Sequence, residues 1–307
     1  MTDKIIETIQ LTKMYGDLRA VDRLDWSVPS GSICGMLGPN GAGKTTTLKI
    51  LVGMNHPTSG KSLVNGLNAA TQSTEILKTT AFVPEDKILY DKMTVENFLR
   101  FYGSFFPDWS QSTAENFISK WNIPFGNRMN TLSKGNRTRL LLAAALSRKS
   151  SLLIFDEPTE GMDPAGIEEV LSSIAACAAE GNRTILIATH RLDEVERICD
   201  RIAIINRGRL QLSGDLDDIR TQWKTINVIG DVPVDAVRNW ENVQRAEREG
   251  LRIKLTVSSD PQLISTRLRE QYHISNVEIQ DMNLREIYLA ATGYTGGINH
   301  DRLENLA

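Results

Sequence analysis

Two short stretches of this sequence concentrate residue types suited to phosphate and metal chemistry. Gly38, Pro39, Asn40, Gly41, Ala42, Gly43, Lys44 and Thr45 spell GPNGAGKT, the G-x-x-x-x-G-K-[ST] spacing. An apolar strand-like run, Ile33 to Leu37, leads into it, and a helix-forming segment beginning with Thr46 follows. Glycines there let successive N–H groups point inward around a phosphate, Lys44 brings a positive charge to the terminal phosphates, and Thr45 offers a hydroxyl to Mg²⁺. The second stretch is Leu152 to Phe155 followed by Asp156 and Glu157, two carboxylates at the end of a buried strand. Ionised carboxylates persist there only when something compensates them. Asp156 suits a Mg²⁺ water shell, and Glu157 suits orienting or deprotonating a water aimed at a γ-phosphate. The overlapping Gly41-x-Gly43 lacks the third glycine of a dinucleotide site. The guanine-reading N-K-x-D motif is absent, and the paired carboxylates argue against GTPases and small-molecule kinases.

These groups need elements that hold them. Residues 5 to 34 alternate apolar and polar in short runs, broken at Tyr15-Gly16 and Pro29-Ser30-Gly31, as half-buried antiparallel strands do. The helix after the glycine loop should end at Gly53. From Asp86 to Ser150 the apolar residues move to steps of three and four (Val95, Phe98, Tyr102, Phe105), which predicts a helical insert. Ser112 and Glu115 have capping-box spacing at the start of its second helix. The apolar strands SLLIFDEP and RTILIATH, separated by a helix opening at Asp163-Pro164, indicate a parallel sheet. A hairpin turning near Asn206 to Gly208 and a helix from Asp215 to Arg220 close this part. Beyond Trp223 the strand RIKLTV, a helix from Pro261 to Tyr272, the strand VEIQD and a helix from Asn283 to Ala291 make a small α/β domain. The glycine-rich end GYTGGINHDRLENLA, from Gly293, is expected to be a loosely ordered tail. The expected division is residues 1–222, with an insert over about 86–150, and residues 223–307.

Composition narrows the function classes. At 307 residues the chain has room for about two domains. Its net charge of −3, from 35 basic and 38 acidic residues, supplies no global positive field for nucleic acid. Apolar runs fall short of the roughly 20 residues a spanning helix needs. MTDKIIETIQLTK mixes acidic with apolar residues and does not read as a secretion signal, so a cytoplasmic location is expected. Cys34, Cys177 and Cys199 are widely spaced and odd in number, fitting buried small hydrophobes better than a disulfide or zinc set.

Between the two chemical stretches lies Leu132-Ser133-Lys134-Gly135-Asn136, which resembles the LSGGQ signature of ATP-binding cassette (ABC) ATPases. Tyr15 is similar to the family's adenine-stacking aromatic, Asp163 to its D-loop aspartate, and His190 after TILIAT to its switch histidine. The match spans about residues 4 to 220 and looks most like ATPase subunits of bacterial exporters whose membrane subunits are separate chains. The resemblance implies a P-loop NTPase fold with a parallel core sheet, an antiparallel β subdomain and a helical insert, using ATP and Mg²⁺. It further implies Glu157, His190 and Glu85 as catalytic groups, with Thr45, Glu85 and Asp156 at the metal. Two copies would sandwich ATP head to tail, Ser133 and Gly135 of one facing Lys44 and Thr45 of the other. A membrane permease would dock at the insert, holding the chain at the cytoplasmic face of the membrane. Three positions depart: Glu85 stands where the family has its Q-loop glutamine, Lys134 replaces the signature's first glycine, and Asn136 its glutamine. Lys134 also reads as a solvated residue, Tyr15 as a hairpin aromatic packed on a core, and the insert's many aromatics as core or docking groove. Two other readings stay open: a soluble ABC-type switch without a permease, and a slow cassette that binds ATP as a regulator.

Overall fold

A computed structural model describes residues 3–86, 90–181 and 183–293; all of the expected tail beyond Gly293 lies outside them. The chain divides into two compact units, residues 1–210 and 211–307, a boundary ahead of the 222/223 division read from the sequence.

The first unit opens with two long strands, β1 (Lys4–Tyr15) and β2 (Leu18–Pro29), then β3 (Ile33–Leu37), α1 (Lys44–Leu51), β4 (Ser59–Val64), β5 (Leu67–Asn68), α2 (Ser73–Thr79) and β6 (Thr80–Val83). The insert follows as α3 (Val95–Gly103), α4 (Gln111–Lys120), a 3₁₀ turn at Met129–Thr131 and α5 (Lys134–Leu146). Then come β7 (Leu152–Asp156), α6 (Pro164–Gly181), β8 (Thr184–Thr189), α7 (Leu192–Ile198), β9 (Arg201–Asn206) and β10 (Arg209–Asp215), the strand that carries the 210/211 boundary. The main sheet has the order β10-β9-β3-β8-β7-β6. Its pairs β9-β3, β3-β8, β8-β7 and β7-β6 are parallel. A second sheet, β2-β1-β4-β5, is antiparallel. β7 and β8 are buried along their whole length, as strands covered on both faces must be. One apolar cluster joins β7, β8 and α6 to the insert through Phe98, Ile118, Trp121 and Leu140. A second joins the sheets beneath α1.

Several local expectations hold. α1 ends at Leu51, and Gly53 just beyond takes φ 73°. Asp163 accepts a hydrogen bond from the Gly166 N–H at 3.2 Å, capping α6. All three cysteines are buried. The capping-box assignment at Ser112 does not hold. α4 starts two residues earlier, capped by Ser110, whose hydroxyl accepts from Thr113 N, and Glu115 instead accepts from Gln111 Nε2. The cause is the packed end of α5: the Ser110 N–H bonds the Ser147 carbonyl at 2.9 Å, fixing the extended residue before the helix.

After β10 the second unit runs into α8 (Leu216–Gln222), capped by Asp215. It continues as β11 (Lys224–Ile229), α9 (Val234–Arg238), β12 (Val243–Glu249), β13 (Arg252–Val257), α10 (Pro261–Tyr272), β14 (Val277–Asp281) and α11 (Leu284–Thr292), the last opened by the capping box Asn283/Glu286. The antiparallel order β12-β13-β11-β14 with β-α-β-β-α-β succession is the ferredoxin-like arrangement. Ile226, Ile253, Leu255, Ile264 and Leu268 form its core.

Candidate functional site

The site lies where parallel strands end, as ligand sites of open α/β sheets do. β3 runs into the glycine loop. A Cβ on Gly43 (φ 104°) would lie 2.3 Å from the Ala20 carbonyl oxygen, and one on Gly38 would lie 2.4 Å from that of Ile205, so both positions exclude side chains. α1 then starts at Lys44 with no side-chain cap and no acidic residue in its first turn. Its leading N–H groups are therefore open to an external anion. Lys44 is buried and donates to the Gly38 carbonyl at 2.7 Å, which aims its ammonium back over the loop. Burial lowers its pKa, opposed by Glu157 and Asp156.

β7 delivers the carboxylates. Glu157 takes φ 47°, and its N–H donates to the Ala188 carbonyl at 2.9 Å, so the chain turns sharply just past the strand. Its side chain then meets three groups: His190 Nδ1 at 3.0 Å, the Thr189 hydroxyl, which donates at 3.1 Å, and Lys44 Nζ at 3.6 Å. Burial alone would raise the Glu157 pKa, but His190, Lys44 and Thr189 together outweigh it and hold the group ionised. The same hydrogen bond raises the pKa of His190.

Asp156 is different. Both of its carboxylate oxygens are buried, and neither completes a hydrogen bond. Burial pushes its pKa up to about 6, although the nearby Thr45 hydroxyl and the Lys44 charge favour ionisation. A buried carboxylate with the Thr45 hydroxyl as its one hydrogen-bonding neighbour is costly unless a cation or its water shell completes it. The oxygen set of Asp156, Thr45 and Glu85 fits Mg²⁺, a hard cation that keeps waters and borrows phosphate oxygens. Among the described residues no group of three His, Cys, Asp or Glu could hold a metal by itself.

The remaining residues are placed less directly. Glu85 follows β6, is exposed, and contributes an electrostatic field at Lys44 and Asp156. With Asp86, Leu132, Lys134, Arg137 and Glu160 it lines a cavity of about 480 Å³. Ser133 caps α5, its hydroxyl accepting from Asn136 N at 3.2 Å. Lys134 reaches Glu160 at 2.7 Å, so it is exposed but ion-paired. A Cβ on Gly135 would lie 3.3 Å from the Gly161 carbonyl. Tyr15, at the β1 end, is 46% exposed, and its hydroxyl accepts from Asn55 Nδ2 at 2.9 Å, so it is not a core ring. Among the described residues no hydrogen bond or ion pair links Tyr15, Ser133, Gly135 or Asp163 to Lys44, Asp156 or Glu157. Sequence reasoning missed Thr159, Thr189 and Glu194, a buried polar set behind Glu157, because Asp193, Glu194 and Glu196 in LDEVERI have the look of one exposed helix face.

The comparisons agree with this geometry. A family model described as "ABC transporter" matches residues 21–160, and one described as an AAA domain (putative AbiEii toxin, type IV TA system) matches 128–195. The bacitracin transport ATP-binding protein BcrA of Bacillus licheniformis is 30% identical over 303 residues, covering 98% of this chain and 90% of the relative. The probable multidrug ABC transporter ATP-binding protein YbhF of Escherichia coli is 36% identical over 226 residues, 72% of this chain; the match spans 39% of YbhF's length. A solved ATP-binding subunit of an ABC transporter superposes with a TM-score of 0.64 at 29% identity, covering 71% of this chain and 92% of that one. With the glycine loop, the paired carboxylates and the switch-position histidine assembled on one sheet edge, the chain belongs to the family of ABC transporter ATP-binding subunits.

Proposed function

We propose that this chain hydrolyses ATP to power an exporter whose membrane subunit is a separate chain. The observation that carries the reading is Glu157, held ionised within 3.0 Å of His190 and 3.6 Å of Lys44 at the mouth of the glycine loop. Lys44 and the open N–H groups of α1 bind the β- and γ-phosphates. Glu157 accepts the proton of the attacking water, and His190 fixes its carboxylate while facing the γ-phosphate. Thr45, Asp156 and Glu85 would hold Mg²⁺, which would neutralise charge on the phosphates. Tyr15 stacks on adenine from its exposed position. Ser133, Gly135 and Asp163 make no hydrogen bond or ion pair to Lys44, Asp156 or Glu157 among the described residues, and their part in this reading is to serve a second copy's nucleotide in a head-to-tail dimer.

The permease contact fits the insert. Tyr90, Phe101 and Phe105 are exposed, and they form consecutive edge-to-face pairs at 5.5 and 4.9 Å. Clustered exposed aromatics are the usual anchors of an interface. No helix among the described residues is long and apolar enough to cross a membrane, so this reading places the chain at the membrane through that contact. Glu85 favours a second reading, slow turnover in a regulatory cassette, because it adds negative charge beside Asp156. Steady-state assay of Glu157→Gln tests the first: ATP should still bind while turnover falls by about 10² to 10⁴-fold. Wild-type turnover in that variant removes Glu157 from catalysis, and negligible turnover in the wild type leaves the regulatory reading.

A further inference from the structure

Behind Glu157 lies a second buried carboxylate that the reaction as described does not use. Glu194, third residue of the short helix α7, is 1% exposed. One of its oxygens accepts from the Thr159 hydroxyl and lies 3.1 Å from the Arg191 guanidinium. The other lies 3.4 Å from the Thr189 hydroxyl, the same hydroxyl that reaches Glu157 at 3.1 Å. Thr189 also accepts from the Arg191 N–H at 3.1 Å. An apolar side chain would fill this volume without the desolvation penalty of a carboxylate, so filling space does not explain the residue.

Its partners point to a role. Thr159 lies in the turn just after Glu157, and Thr189 immediately precedes His190. One carboxylate thus ties together the two segments that carry the groups facing the phosphate. Glu157 needs such ties because its left-handed backbone is held against its own preference. The Thr189 hydroxyl has a single proton and two carboxylates competing for it, so what Glu194 does at Thr189 is felt at Glu157.

We propose that Glu194 is a positioning residue for hydrolysis, orienting Glu157 through the Thr189 hydroxyl and fixing the turn after Glu157 through Thr159. The proposal rests on the hydrolytic role assigned to Glu157 above.

The test uses the full chain and measures kcat, KM and equilibrium ATP binding in Glu194→Ala, Glu194→Gln, Thr189→Val and the Glu194→Ala/Thr189→Val double variant. Loss of a supporting partner at such a site typically costs about 10 to 100-fold. Glu194→Ala should lose about that much in kcat while ATP affinity stays within about threefold. Glu194→Gln should recover most of the loss, since its amide oxygen still accepts from Thr159 and its NH₂ donates to Thr189. The double variant should fall no further than the worse single one, because both changes cut the same link. A kcat within about twofold of wild type in Glu194→Ala, losses that multiply in the double variant, or no recovery in Glu194→Gln would each overturn the proposal. If Glu194→Ala does not fold, Glu194→Gln and Thr189→Val decide: Thr189→Val must lower kcat at constant ATP affinity while Glu194→Gln retains it. Glu157→Gln measured alongside separates the failures. Full activity there defeats the assignment of Glu157, whereas lost activity there with normal Glu194→Ala defeats only the role of Glu194.

Discussion

Asp156→Asn should make the nucleotide-free protein more stable while abolishing its Mg²⁺-dependent activity. Both Asp156 oxygens are buried without a completed hydrogen bond, and burial raises the carboxyl from 3.8 to about 6. A group whose folded pKa lies above its unfolded value favours folding at low pH, and that favour disappears as pH rises through the folded value. At about pH 7.5 both states are ionised, and Asp156 then opposes folding by about 3 kcal/mol. The asparagine amide removes the charge but is itself buried and unpaired, returning about 1 kcal/mol of that gain. The net expectation is about 2 kcal/mol, or roughly 4 to 8 °C in the melting of the first unit. The assay is thermal unfolding with a chelator and without nucleotide, run at about pH 7.5 and again near pH 4, where the advantage should shrink because wild-type Asp156 is then largely protonated. A variant less stable than wild type at the higher pH, or a gain independent of pH, refutes the reasoning.

Three further outcomes are expected. Lys44→Ala should weaken ATP binding by at least about tenfold in equilibrium titration, because the one buried ammonium over the glycine loop is lost. Tyr15→Ala should weaken ATP and ADP alike, by about 1 to 3 kcal/mol, read by competitive binding of the two nucleotides. Arg148→Met should destabilise the first unit by about 3 to 5 kcal/mol in chemical denaturation. The Arg148 guanidinium is buried, donates to the carbonyls of Leu77, Lys78 and Thr80, and lies 3.6 Å from the Phe106 ring centroid.

The legible parts of this molecule are those in which chemistry and element share a contiguous stretch. GPNGAGKT stands between an apolar strand and a helix, and FDEP ends a wholly apolar strand, so their positions on the sheet edge follow from local pattern. Where a role depends on a distant partner, the sequence is silent. Glu194 sits in an ordinary amphipathic helix and is buried only because α7 packs on β3, where Gly35 leaves no room for even a Cβ beside Val195. Arg148 in SRKSS has the look of a loop residue, yet it binds the end of α2, separated from it by the whole insert. Ser110 and Ser112 are equally good caps in composition, and only the bond from Ser110 N to Ser147 decides between them. In the second unit single strands were visible, but the order β12-β13-β11-β14 rests on pairings far apart in the chain. Lys134, an apparent defect in the signature, pairs with Glu160, a partner no local pattern announces.

In the proposed cycle ATP joins two copies and hydrolysis lets them part. Size-exclusion chromatography of Glu157→Gln with and without ATP tests it most directly. The expected outcome is a monomer without nucleotide, a dimer with ATP, and no dimer once Ser133→Arg is added, although each chain still binds ATP. Glu157→Gln that binds ATP without hydrolysing it and yet stays monomeric would contradict the head-to-tail sandwich.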